Sequence, residues 1–222
     1  MRRVNTRAIH IGADELAWPG HAHLCVLRSC RDTLARLTRL AHAAGIREQH
    51  WLAGTQATCA AVAETLAHGA GTLAPDGLLV VTFSGHTVRK HDQTLWCLQD
   101  GELQLGEMAA CLAGAAASAR IVVVADTCYS AALRRYAELA ATLVLIAACG
   151  EDQHTMNRPT SEFIVRLEEL TYPGGLRNAA CTTYRWLHEQ LQHDTPDVER
   201  PEVWTNRAAA WLHRPFGLQT CD

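Results

Sequence analysis

The chain has no CxxC pair, little aromatic content (6%), no surplus of positive charge and no apolar run of bilayer length. Each shortage removes a class of function. Twenty Lys and Arg stand against 23 Asp and Glu, for a formal net charge of −3. Without a cationic excess to neutralise phosphates, nucleic acid is not the expected partner. The nine cysteines are odd in number and lack paired spacing, in a chain of 222 residues. That argues against a secreted disulfide framework and fits reduced thiols in the cytoplasm. The opening MRRVNTRAIHIG has no apolar stretch of signal length before Asp14 and Glu15, so no export is expected. The most apolar later stretches, 120–125 and 141–149, fall far short of the roughly 20 residues that cross a bilayer. No membrane partner is expected.

What is present is a globular composition, 48% apolar and 19% charged, which suits one continuous domain over 1–222. Short β-rich runs at 7–12, 48–52, 78–84, 120–125 and 142–148 alternate with helical patterns at 24–44, 56–69, 161–171 and 178–192. Runs such as LLVVTF, RIVVVA and LVLIAA are continuously apolar, as strands covered on both faces require. The expected class is therefore α/β, with a mostly parallel central sheet and helices on both faces. Segments 95–98 and 102–105, separated by Gln99-Asp100-Gly101, predict a small hairpin. The segment 193–201 reads as a polar, proline-flanked loop, and no internal repeat is evident.

In an open parallel sheet, chemistry collects beyond the carboxyl ends of the strands. Two predicted strands end in reactive residues: LLVVTF runs into Ser84-Gly85-His86, and RIVVVA into Asp126-Thr127-Cys128. If those strands are neighbours, an imidazole and a thiol emerge side by side. Only a thiolate attacks, and a free thiol is mostly protonated near neutrality, so an adjacent imidazole supplies the missing base and later the acid. Cys128 is then the expected acylating nucleophile and His86 its acid/base partner. The amides of Cys128 and Thr87 are the expected oxyanion donors. Five of the six tryptophans, Trp51, Trp96, Trp186, Trp204 and Trp211, read as core or partly buried anchors.

The run VTFSGHT (81–87) resembles the strand and SGHG signature of the caspase-like cysteine peptidases, which include caspases, metacaspases and orthocaspases. VADTCYSA (124–131) is similar to their D-[ST]-C-x-[SA] nucleophile segment. The resemblance extends over nearly the whole chain, but only those two segments are specific. It implies a caspase-hemoglobinase fold and a cysteine endopeptidase with a His86–Cys128 dyad, acting on protein or peptide substrates. No metal or other cofactor is expected, because His86 and Cys128 lack third and fourth ligands at the usual spacing. The resemblance also implies that Asp32, Ser84 and Asp126 line a specificity pocket. Carboxylates there suit a guanidinium or ammonium group, so cleavage after Arg or Lys is expected. Asp32 reads equally well as an exposed helix-face charge, and Asp126 alternatively as a structural cap. Thr87, where the family has glycine, implies a slow or conditionally active enzyme. Glu151, Asp152 and Gln153 are expected near the pocket walls.

Basic residues at Arg89-Lys90, Arg134-Arg135 and Arg158 fall in expected loops and offer sites for self-processing. An upstream protease or regulator is the expected activating partner. Roles in bacterial signalling, cell death or antiviral defence go with the resemblance. Two other classes stay open. Cys128 to Arg134 satisfies the C-x5-R spacing of cysteine phosphatases, although that loop has no glycine to build a phosphate cradle. A caspase-like signalling module without activity is the other.

Overall fold

The computed structural model describes residues 5–14, 16–17, 27, 29–136, 138–156, 158–171, 183–193 and 199–214. Six strands form the central sheet: β1 (Thr6–Gly12), β2 (Glu48–Ala53), β3 (Leu78–Ser84), β7 (Arg120–Asp126), β8 (Thr142–Ala147) and β9 (Glu202–Thr205), in the order β2-β1-β3-β7-β8-β9. The first five are parallel, and β9 closes one edge antiparallel to β8. A second sheet, β4 (Thr87–Lys90), β5 (Gln93–Leu98) and β6 (Gly101–Gln104), is wholly antiparallel. This is the mixed α/β class expected from the sequence, with a mostly parallel central sheet flanked by helices.

The apolar strands divide their side chains between two layers, as a period of two demands. Leu79, Val81 and Phe83 of β3, with Ile121 and Val123 of β7, face one cluster. That cluster is completed by α2 (Cys59–Gly71), through Val62 and Leu66, and α3 (Leu105–Leu112), through Met108 and Leu112. Leu78, Val80, Val122 and Val124 face the other. It is covered by α1 (Cys30–Ala43), α4 (Glu162–Thr171) and α5 (Tyr184–His193) through Leu37, Ile164, Leu167 and Leu187. Every residue of β3 is buried.

Several sequence expectations change. The predicted hairpin is the last two strands of a three-stranded sheet; β4 was expected as a loop and is recruited by pairing with β5. Helix α3 and strand β9 appear where no element was expected. The described start of α1 is Cys30, and residues 24–26 and 28 of the predicted helix lie outside the described residues, as do 178–182 and 194–198. Trp51 is not a core anchor. It stands 48% exposed on the edge strand β2, with its indole N–H donating to Thr38 Oγ1 at 2.9 Å and its ring stacked on His10. Trp96, by contrast, is buried and stacked on Phe83 with centroids 4.0 Å apart, which fastens the small sheet to the large one.

The six described cysteines, including Cys128, are all free thiols. Among the described residues, no helix is long and apolar enough to cross a membrane and no cluster of metal-ligating side chains occurs.

Candidate active site

Strands β3 and β7 are hydrogen-bonded neighbours, with Ser84 opposite Asp126 in register. Each chain then leaves the sheet, and two residues later come His86 and Cys128. Both line one cavity of about 660 Å³ beyond the carboxyl ends of the strands. Gly85 is required between Ser84 and His86, because a Cβ there would stand 2.7 Å from the Phe83 ring. On the other loop, Tyr129 takes a left-handed conformation with φ of 54°. This is an unfavourable backbone for a tyrosine. It is offset by a bond from Tyr129 N–H to Gln153 O at 2.8 Å, a phenol–imidazole bond to His154 Nε2 at 2.7 Å, and the Arg89 guanidinium 5.1 Å over the ring. The sharp turn it creates directly follows the thiol.

The sulfur itself faces the 150–156 segment. Thr155 N–H donates to Cys128 Sγ at 3.4 Å, and Thr155 O and Oγ1 lie at 3.8 and 3.6 Å from it.

The threonine in place of glycine at 87 has a structural use. Thr127 Oγ1 donates to Gly85 O at 2.7 Å, so the short 2.6 Å contact between Thr87 and Thr127 has Thr87 as donor. This chain of hydroxyls clasps the histidine loop to the cysteine loop, and both side chains are buried. Thr87 is not among the residues that line the cavity. The bond from Cys97 N–H to His86 O and the Thr87–Trp96 pairing place Thr87 at a non-hydrogen-bonded ladder position, which turns its N–H away from β5. Removing the clasp with Thr127→Val is expected to cost about 1–2 kcal/mol of unfolding free energy, since Thr87 and Gly85 each lose a buried partner. Urea denaturation of the variant measures this, and an unchanged midpoint would refute the clasp.

Asp126 and Ser84 also line the cavity. Asp126 is enclosed by hydroxyl donors: Ser161 Oγ to Oδ1 at 2.8 Å, and Thr33 Oγ1 and Ser84 Oγ to Oδ2 at 3.1 and 3.4 Å. Its carboxylate thus ties the ends of β3 and β7 to α1 and to the residue capping α4, where Ser161 also accepts from Ile164 N–H. The residue is open only toward the cavity. Burial pushes its pKa above the ordinary carboxylate value, against the lowering effect of the three hydroxyls.

Asp32 is not brought to the cavity. It lies on the half-exposed face of α1, where Arg36 Nε holds its Oδ2 at 2.8 Å, and Arg36 in turn pairs with Glu168. The rotation of the helix puts Thr33, one position on, toward Asp126 instead. Glu151, Asp152 and Gln153 likewise turn away from the cavity. Glu151 pairs with Arg134 at 3.1 Å and Arg135 at 3.0 Å, and the Arg135 and Arg134 hydrogen bonds hold its pKa down to about 2. That ion pairing contributes above the ordinary carboxylate range and is lost only as pH falls toward 2. Asp152 pairs with Arg89 at 2.6 Å, and Gln153 accepts from Gly150 N–H.

The C-x5-R spacing forms no phosphate cradle. Residues Ser130–Tyr136 coil into a 3₁₀ helix, and Arg134 is committed to Glu151 and, at 2.8 Å, to Glu202. Two of the expected self-processing sites lie within regular structure, Arg89-Lys90 in β4 and Arg134-Arg135 in that 3₁₀ helix; Arg158 lies outside it, on the cavity wall. The loop 149–160, expected from the sequence to border the cleft, supplies Thr155, Met156 and Arg158 to the wall, whereas Ser161, Glu162, Arg166 and Glu199 were not expected there. Ser161 carried a weak signal as a serine just before a helical pattern. Glu199 carried none, being far along the chain from both reactive residues.

No family model matches the sequence, and no curated protein does. Among solved structures, the crystal structure of protein GSU0716 from Geobacter sulfurreducens is similar, with a TM-score of 0.80 at 22% identity over 97% of this chain and 100% of that one. At that identity the likeness concerns the fold.

Proposed function

We propose that this chain is a cysteine endopeptidase that cleaves after Arg or Lys through an acyl-enzyme on Cys128. The observation that carries the reading is the β3–β7 register, which sets His86 and Cys128 at equivalent places past adjacent parallel strands, facing one cavity. In this mechanism His86 takes the thiol proton as Cys128 Sγ attacks the scissile carbonyl carbon. The Cys128 amide holds the resulting oxyanion. His86 then returns the proton to the leaving amine, and water, deprotonated by His86, hydrolyses the thioester. The cavity wall is richer in carboxylates than in guanidinium groups, with Asp126, Glu162, Glu169 and Glu199 against Arg158 and Arg166. This supports a basic rather than an acidic residue before the scissile bond.

A positional scan of fluorogenic peptides at neutral pH tests the reading, alongside alkylation by an Arg-chloromethylketone peptide and mapping of the label. Cleavage confined to Arg and Lys, with the label on Cys128, is expected. Preference for Asp, or equal cleavage of Asp and Arg, overturns the specificity. Absence of both cleavage and labelling overturns the peptidase reading.

A further inference from the structure

The charges around the cavity are unevenly matched. Glu162 is paired with Arg158, and Glu169 with Arg166 at 3.5 Å. Asp126 has both oxygens engaged by hydroxyl groups, and its burial works against its charge. That leaves Glu199. Its Oε1 accepts the N–H of Met156, and among the described residues no Lys or Arg pairs with it. Glu199 is half-buried, so a cation meeting it is partly shielded from water.

Its position relative to the nucleophile is also defined. Met156, which Glu199 holds, directly follows Thr155, whose N–H reaches the Cys128 sulfur. Two hydrogen bonds and one residue step separate carboxylate and sulfur, a span of at most about 10 Å. A long basic side chain bridges such a span when its own carbonyl sits at the sulfur. Glu199 is also close enough to Asp126 for its charge to oppose ionisation there.

We infer that Glu199 is the specificity-determining carboxylate, receiving the guanidinium or ammonium group of the residue before the scissile bond, while Asp126 serves to hold the walls of the cavity together. This rests on the peptidase reading and deepens it. It replaces Asp32 and Asp126, the expected specificity carboxylates, with a residue from the segment leading into β9.

The test compares Glu199→Gln with the unmodified protein on two matched peptides, one with Arg and one with citrulline, its neutral isostere, before the cleaved bond. Glutamine keeps an oxygen to accept from Met156 N–H, so the fold is expected to persist. The preference for Arg over citrulline is expected to fall about tenfold, with most of the loss in KM rather than kcat, because a charge-assisted bond is removed from substrate binding. A second measurement needs no variant. KM for the Arg peptide of the unmodified protein is expected to rise between low and high salt, while KM for the citrulline peptide stays level. An Arg-to-citrulline ratio within about twofold of the unmodified protein's, or equal salt dependence for both peptides, overturns the role of Glu199 and leaves the peptidase reading in place. Should the unmodified protein cleave neither peptide, both proposals fall together.

Discussion

Cys128→Ala is expected to lower kcat/KM on an Arg-amide peptide by at least about a thousandfold, because alanine offers no nucleophile and the amide donor alone stabilises only what water can attack. The loss should be almost entirely chemical. The sulfur's recorded partners are the 3.4–3.8 Å contacts to Thr155, so the variant is expected to unfold at nearly the same urea concentration as the unmodified protein. His86→Ala is expected to cost a similar amount. The double variant should be little worse than either single one, since the two groups act as a unit on one proton. Retained activity in Cys128→Ala would place the nucleophile elsewhere. Additive losses in the double variant would mean that imidazole and thiol act separately, despite their shared position beyond β3 and β7.

The second large effect concerns stability. Asp126→Ala removes the common acceptor of Thr33, Ser84 and Ser161, and is expected to cost about 3 kcal/mol as buried hydroxyls are stranded. Asp126→Asn keeps one carbonyl oxygen and should cost less, while removing a titration. Because the folded protein holds the Asp126 proton more tightly than the unfolded chain, the stabilisation linked to it is complete below the ordinary value of 3.8 and is lost as pH rises through the raised value. Unfolding free energies of the unmodified protein should therefore decline relative to those of the Asn variant over that interval. Urea titrations from about pH 4 to about pH 8 measure the difference. A gap that widens in favour of the unmodified protein as pH rises would show that the three hydroxyl donors outweigh burial.

Much of the scaffold was legible because burial on two faces writes itself into composition. β3, β7 and β8 are runs of Leu, Val and Ile that no exposed loop would carry, and their ends were placed to within a residue. The elements that were missed are short or unusually capped. β4, TVRK, and β9, EVWT, have four residues each and mixed polarity, and exist because a partner strand supplies their hydrogen bonds. Helix α3 starts from Gln104, outside the usual Ser, Thr, Asp and Asn caps, and relies on a capping box in which the Gln104 N–H donates to the Glu107 carboxylate.

The candidate site divides along the same line. Local sequence was enough to put His86 and Cys128 each just past a buried strand, because a strand's end and the loop after it are set by neighbours in the chain. Which strands lie side by side, how α1 is rotated, and what closes the cavity depend on packing between segments remote in sequence. That packing put Thr33 rather than Asp32 against Asp126, spent Glu151 on two arginines, and carried Glu199 to the wall beside Thr155. A charged side chain's role is fixed by the partners that reach it, and those partners are determined only once the whole chain has folded.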